Sequence, residues 1–357
     1  MILSSIEVQS IIIEAKKTPN KRAGRVIQLH EEWRIRDNQI DFYFKSPSNL
    51  KVSPDGSIFV LDENQLLEFS SDGKFIRNYF RSGQGPGEFS RIEDYLPLSE
   101  KIVIHQRSPN KVVIFDRLGN LIKEFKPQET TARLLAIFQD KYLMAQHAFP
   151  QIEKIKKEEG EILEVNWNFC LVSENGEVEK IEGLYPTRWF FKRLPTAVVA
   201  DYMTEIIWAL LKGRYLLFTH TEDYELKIFD LSQKKLVKSI KRKYKKVSYK
   251  SDKPKEERPG FKTLDVPRSY FNDIQKILVR EEKILVFTST VDRRKGFQVD
   301  VFDSEGSYLD IFYFPLHLKI GLSELARYPL NIQGNTLLVI EKDDSGNIFL
   351  VKYQMLL

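Results

Sequence analysis

Val52-Ser53-Pro54-Asp55-Gly56-Ser57-Ile58-Phe59-Val60-Leu61-Asp62, followed by Leu66-Leu67-Glu68-Phe69-Ser70-Ser71-Asp72-Gly73-Lys74-Phe75-Ile76, decides the fold of this chain. Runs of strand length are separated by Asp-Gly, and these residues tolerate the positive φ that a tight hairpin needs. The second phrase recurs. Val112-Val113-Ile114-Phe115 turns at Gly119-Asn120, residues 169–178 turn at Asn175-Gly176, residues 226–237 turn near Phe229-Asp230, and residues 299–309 turn at Glu305-Gly306. These are five hairpins of one design.

Phe69, Phe115, Val172, Phe229 and Phe302, taken as equivalent, are spaced by 46, 57, 57 and 73 residues. The shortest interval is close to the roughly 40 to 50 residues of a four-stranded propeller blade, and the longer ones need only insertions. Another apolar run precedes each hairpin, at Ile58-Phe59-Val60-Leu61, Ile102-Val103-Ile104, Tyr142-Leu143-Met144, Leu216-Leu217-Phe218 and Leu285-Val286-Phe287. A sixth run, Leu337-Leu338-Val339-Ile340, precedes residues 348–353, where the chain runs out before a return strand. A sheet edge left open there invites association, so residues 25–30 are expected to complete the last unit. The reading is an all-β, six-bladed β-propeller of four-stranded antiparallel blades over residues 25–357. Residues 1–24 form an N-terminal extension, with insertions near 150–166 and 241–263.

The stretch from Pro47 through residues 52–62, then the hairpin, then Gly83-Gln84-Gly85-Pro86-Gly87-Glu88-Phe89, resembles an NHL-type repeat of six-bladed β-propellers. Motif carries the resemblance over roughly residues 47–92 and pattern carries it afterwards, since the later units lack the Gly-Pro-Gly-Glu-Phe phrase. It implies blades around a central channel and no single activity. Such propellers bind proteins, RNA or other ligands, and fewer act as metal-assisted lyases or hydrolases.

Composition narrows the class. The 357 residues hold 55 Lys+Arg against 50 Asp+Glu, 42% hydrophobic and 29% charged, which excludes a disordered polyelectrolyte. The single cysteine, Cys170, excludes an internal disulfide framework and lies inside an alternating run, as a small buried hydrophobe would. The best apolar window, residues 197–211, contains Asp201 and Glu205 and falls short of the roughly 20 residues of a membrane span. The opening residues show no basic n-region, so no signal peptide is read. A monomer in the cytoplasm is the default expectation, and an extracytoplasmic one if a leader has been removed.

One polar residue follows each second-strand run: Asp62, Gln106, Gln146, Thr219, Thr288 and Glu341, with His147 and His220 beside two of them. In a four-stranded meander the second strand ends at the face where the first begins, so these residues are expected at one mouth of the channel. No cofactor is expected. His147, His220 and Glu341 are the candidates for a divalent metal, which would support a lyase or hydrolase, but three convergent ligands are the minimum for catalytic zinc. The Gly83-Gln84-Gly85-Pro86-Gly87 loop lacks both the glycine spacing and the Lys-Ser/Thr of a phosphate cradle, and reads as an inter-blade turn.

Two segments supply candidate contacts on the same face. Tyr185-Pro186-Thr187-Arg188-Trp189-Phe190-Phe191-Lys192-Arg193 is read as an aromatic and basic loop, with Arg188, Trp189, Lys192 and Arg193 as contact residues. Lys241-Arg242-Lys243-Tyr244-Lys245-Lys246 opens a basic insertion, and basic residues among aromatics can track single-stranded RNA. Residues 241–262 hold ten Lys/Arg and three Asp/Glu, a net +7, so the rest of a chain of net +5 carries −2. The basic balance is one segment. The sequence therefore favours a non-enzymatic binding module for a protein, peptide or glycan. RNA binding and metal-assisted catalysis are the alternatives.

Overall fold

The computed structural model describes residues 9–13, 20–37, 40–148, 155–157, 160–193, 198–249, 268–315 and 320–356. Among them are six blades, each built on four antiparallel strands, and the protein is an all-β six-bladed propeller. The first blade runs Pro47–Val52, Ile58–Asp62, Gln65–Phe69, Phe75–Asn78, and the second Asp94–Pro97, Lys101–Gln106, Lys111–Asp116, Leu121–Phe125. The third comprises Arg133–Phe138, Lys141–Ala148, Gly160–Val172 and Val178–Arg193, with Val198–Tyr202 added outside and Ile155–Lys157 paired to its third strand. The fourth runs Ile207–Leu211, Tyr215–Thr219, Glu225–Asp230, Lys235–Arg242, and the fifth Ile274–Arg280, Lys283–Asp292, Gly296–Phe302, Tyr308–Phe314. The sixth takes Leu330–Gln333, Thr336–Lys342 and Ile348–Leu356, and its outer strand is Gln28–Arg36.

One turn recurs six times. Ser53, Ser70, Asp116, Ser173, Asp303 and Asp343 each open a five-residue turn whose first N–H donates to the fifth carbonyl at 2.9 to 3.0 Å. The fourth residue is always glycine, with φ from +85° to +89°, where a side chain would strain the backbone. In three of them the opening aspartate also accepts from the N–H of the fifth residue, Asn120, Ser307 or Asn347. The Asp/Ser-x-x-Gly spacing is therefore the local cause of the hairpins.

The chain divides into two compact units. One comprises Met1–Ile27, His147–Asn168 and Glu182–Ala326, the other Gln28–Gln146, Phe169–Ile181 and Arg327–Leu357. In the second unit, strand faces of the first and second blades bury Phe59, Tyr79, Phe89, Tyr95 and Phe115 together, and those of the sixth and first bury Leu50, Val60, Phe69 and Leu350. In the first unit, the fourth and fifth blades bury Leu217, Leu226, Ile240, Ile277 and Val286.

Four expectations change. Residues 25–30 do not act as one strand: Arg25–Val26 pairs in parallel with Phe312 and Tyr313 of the fifth blade, and the last blade is joined by Gln28–Arg36. Part of the N-terminal extension is strand, since Gln9–Ile13 pairs with the outer strand of the fourth blade. The insertion near 150–166 contains strand at Ile155–Lys157 and from Gly160 onward, the two paired as antiparallel neighbours. The aromatic and basic segment is also strand, with Tyr185 and Thr187 buried and Arg188 exposed in period-2 order. Among the described residues the one α-helical segment is the single turn Leu322–Leu325.

Candidate functional site

The polar residues that follow the second-strand runs separate into those whose side chains bond to the protein and those that do not. In the second unit Asp62 is fully buried, and its carboxylate accepts the N–H groups of Lys45 and Ser46, both at 2.7 Å. Burial raises its pKa, and the two N–H donors oppose that rise. Gln106 accepts from Ser90 N–H at 2.8 Å and donates to the Pro109 carbonyl at 3.2 Å. Glu341 accepts from Arg34 at 2.9 Å and from the Tyr353 hydroxyl at 2.7 Å. Gln146 is buried with its Nε2 lacking a hydrogen-bond partner. In the first unit Thr288 donates to the Gln298 carbonyl at 3.3 Å, while the Thr219 hydroxyl is buried and unpartnered. Asp62, Gln106, Thr288 and Glu341 thus hold loops and strands.

The glycine-rich loop of the second unit is likewise filled by the protein. Gly85 N–H donates to Glu88 at 2.9 Å and Gly87 N–H to Glu124 at 3.0 Å, so carboxylates of the chain occupy the place an anion would take. Lys111 joins Glu124 at 3.2 Å beneath them.

The first unit gathers the remaining candidates around the lengthened strands of the third blade. The His147 ring stands edge-on to Trp167 at 4.1 Å and to Trp189 at 5.4 Å between centroids. Trp167 donates through Nε1 to the Thr187 hydroxyl at 3.0 Å, and Thr187 donates on to the Val165 carbonyl at 3.1 Å. Arg188 N–H is held by the Thr204 hydroxyl at 2.7 Å, while its side chain stays 53% exposed and 3.7 Å from Glu222. Leu184 is 59% exposed on the same strand. Beneath, Ile162, Phe190 and Met203 form a small buried cluster. The backbones of Lys192 and Arg193 pair with Val199 and Val198, and their side chains lie outside the described residues.

A second group abuts this one. His220 Nδ1 lies 3.0 Å from the Pro186 carbonyl, which only a donating N–H can satisfy, so Nε2 is left as an acceptor. Lys227 donates an ammonium N–H to it at 2.7 Å, and also sits 5.6 Å above the Tyr185 ring. Burial, then the neighbouring Lys227 charge, lowers the His220 pKa, and burial lowers that of Lys227. His220 is therefore neutral at pH 7. A metal ion at Nε2 would have to displace an ammonium group. Among the described residues no group of three or more His, Cys, Asp or Glu is arranged to hold a metal ion.

The basic segment after the fourth blade is mostly committed. Lys241 lies 3.6 Å from Glu225, and Arg242 is buried against Asp300. Lys246 donates to the Glu222 carbonyl at 3.0 Å and to Asp223 at 2.6 Å, and lies 3.2 Å from Asp273. The candidate basic residues from 250 to 262 lie outside the described residues. Three residues that matter to the site, Trp167, Thr187 and Lys227, escape the sequence reading. Asn166-Trp167-Asn168 and Glu225-Leu226-Lys227 carried the only signal, a polar-apolar alternation that any strand shows.

Comparison with known proteins agrees with this architecture. The model of a protein family, DUF5128, described as a 6-bladed beta-propeller, matches residues 38–208. A member of the duf4221 family from Bacteroides vulgatus superposes with a TM-score of 0.58 at 12% identity, covering 93% of this chain and 98% of its own. A Bacteroides fragilis protein described as exported superposes with a TM-score of 0.52 at 11% identity, covering 98% of this chain and 100% of its own. At such identity the likeness is one of fold. No curated protein matches the chain. No helix among the described residues is long and apolar enough to cross a membrane.

Proposed function

We propose that this propeller is a non-enzymatic binding module of NHL-like type that engages a protein, peptide or glycan through the lengthened strands of the third blade. The observation that carries this reading is the exposure of Arg188 and Leu184 on the 16-residue strand of that blade, with the half-buried Trp189 next to Arg188 in sequence. Arginine and tryptophan are enriched at interface hot spots. A rigid hairpin also presents them with little ordering cost. Supporting it, Asp62, Gln106, Thr288 and Glu341 already spend their polar atoms on the protein, and Lys227 occupies the free nitrogen of His220.

The RNA reading loses support because Lys241, Arg242 and Lys246 are paired with carboxylates. The exported neighbour makes an extracytoplasmic compartment the one to examine by cell fractionation. The binding reading is tested by probing peptide and glycan arrays with the wild type and with Arg188→Ala/Trp189→Ala. It requires at least one array class to be bound and that binding to be lost in the double variant while its melting temperature is kept. Binding that survives both substitutions would sink it.

A further inference from the structure

The fourth blade is complete with four antiparallel strands, yet Gln9–Ile13 adds a fifth to its outer edge in parallel. The register places Gln9 beside Lys238, Ser10 beside Ser239, Ile11 beside Ile240, Ile12 beside Lys241 and Ile13 beside Arg242. Hairpin-connected strands of a meander are antiparallel, so a parallel strand is a separate segment docking onto an edge. The edge strand reads Lys235-Leu236-Val237-Lys238-Ser239-Ile240-Lys241-Arg242, with Ser239 and Ile240 buried and Lys241 exposed. Its lysines recur every third residue. The docked run Gln9-Ser10-Ile11-Ile12-Ile13 ends in three β-branched isoleucines, the residue type that suits a paired strand.

The same mode appears on the next blade. Arg25–Val26 lies parallel to Phe312 and Tyr313, with Gly24 N–H donating to the Ile311 carbonyl at 2.7 Å and Arg25 paired to Asp310 at 2.8 Å. Outer edges of this propeller thus accept parallel strands twice.

We propose that the outer edge Lys235–Arg242 is a strand-addition site for an extended peptide bearing a β-branched run, a site that Gln9–Ile13 occupies in cis. Main-chain hydrogen bonds supply the affinity in such docking, and the side chains flanking the edge supply the selectivity. A tethered strand competes at an effective concentration on the order of millimolar, so a free peptide binds well only when the cis strand is withdrawn.

The test uses the full chain and a fluorescent peptide with the sequence of residues 5–17. Replacing Ile11→Pro and Ile12→Pro removes N–H donors from the cis strand, and is expected to tighten peptide binding about tenfold or more over the wild type. A peptide carrying the same two prolines must not bind. Ile12→Cys/Lys241→Cys joins register partners, and the native Cys170 is buried and does not interfere. Its oxidised form is expected to link within one chain and exclude the peptide, and reduction to restore wild-type binding. The proposal fails if the proline variant binds no tighter than the wild type, or if both peptides bind equally. It also fails if oxidation joins two chains, which would make the occupant a second copy.

Discussion

Replacing Asp300→Asn probes the buried joint between the fourth and fifth blades within the first unit. The Asp300 carboxylate is fully buried and accepts from the Arg242 guanidinium, the Tyr224 hydroxyl at 2.9 Å, the Tyr308 hydroxyl at 3.1 Å and Gln298 Nε2 at 3.3 Å. Burial pushes the Asp300 pKa up, and the Arg242 charge is the largest influence opposing it. The Arg242 guanidinium is caged by rings, 5.6 Å from Tyr224, 5.8 Å from Tyr244 and 5.4 Å from Tyr308. Asparagine keeps an oxygen for the tyrosines but leaves the guanidinium buried without its counter-charge, a change that costs about 3 to 5 kcal/mol. At roughly 2.1 cal/mol/K per residue for the unfolding entropy of a chain this long, that lowers the melting temperature by about 4 to 7 °C. Differential scanning calorimetry reads it directly. Arg242→Met added to Asp300→Asn removes the stranded charge, so the double variant is expected to melt above Asp300→Asn alone. An Asp300→Asn protein melting within about 1 °C of the wild type, or a double variant whose losses simply add, would refute the reasoning.

Three further outcomes follow from other parts of the molecule. Gly176 and Gly346 hold the same turn position with φ +86°, but a Cβ at Gly176 would lie 2.3 Å from the Lys126 carbonyl, whereas at Gly346 it meets only the tip of Lys342 at 3.6 Å. Gly346→Ala should therefore cost only the left-handed backbone penalty of about 1 to 2 kcal/mol, and Gly176→Ala clearly more, as urea midpoints will show. Burial drops the Lys276 pKa to about 8, with its ammonium held by the carbonyls of Leu325 at 3.3 Å and Ala326 at 2.9 Å. Folding must bury that charge below pH 8, so its penalty disappears as pH rises from about 8 toward the ordinary lysine range. The wild type is expected to gain stability relative to Lys276→Met between pH 7.5 and pH 9.5, and equal pH profiles would contradict this. Finally, Lys227→Met removes the ammonium that abuts His220, so the imidazole pKa read by NMR should rise, since Lys227 is the second-largest influence lowering it.

The hairpins were legible because their cause is local. A glycine four residues into each Ser/Asp turn is forced by a positive φ that other residues resist, and this survives translation into sequence pattern. The second strands were legible for the same reason, since both of their faces are covered and read as apolar runs. What could not be read was where a strand ends once its neighbours lengthen it. Residues 160–168 and 182–193 carry turn-compatible glutamates and a proline, and become strand because each pairs with the other across the third blade. The parallel docking of Gln9–Ile13 was equally hidden, because it depends on an edge some 230 residues away.

Asp62, Gln106, Thr288 and Glu341 bond to the protein, yet a single polar residue after an apolar run looks the same in sequence whether it faces a ligand or caps a loop. Their bonds to Lys45, Ser90, Gln298 and Arg34 are long-range or loop-dependent and leave no spacing signature. Arg188 and Trp189 were found through composition alone, an aromatic and basic run, although the element that presents them is a strand.

The most direct measurement of the binding claim is a titration of the wild type and of Arg188→Ala/Trp189→Ala with the strongest ligand from the peptide and glycan arrays, at matched melting temperatures. The account predicts saturable binding by the wild type, unaffected by a metal chelator, and a loss of at least about tenfold in the variant, the scale of one interface hot spot. Equal affinity for both proteins, or binding that vanishes on chelation, would contradict it.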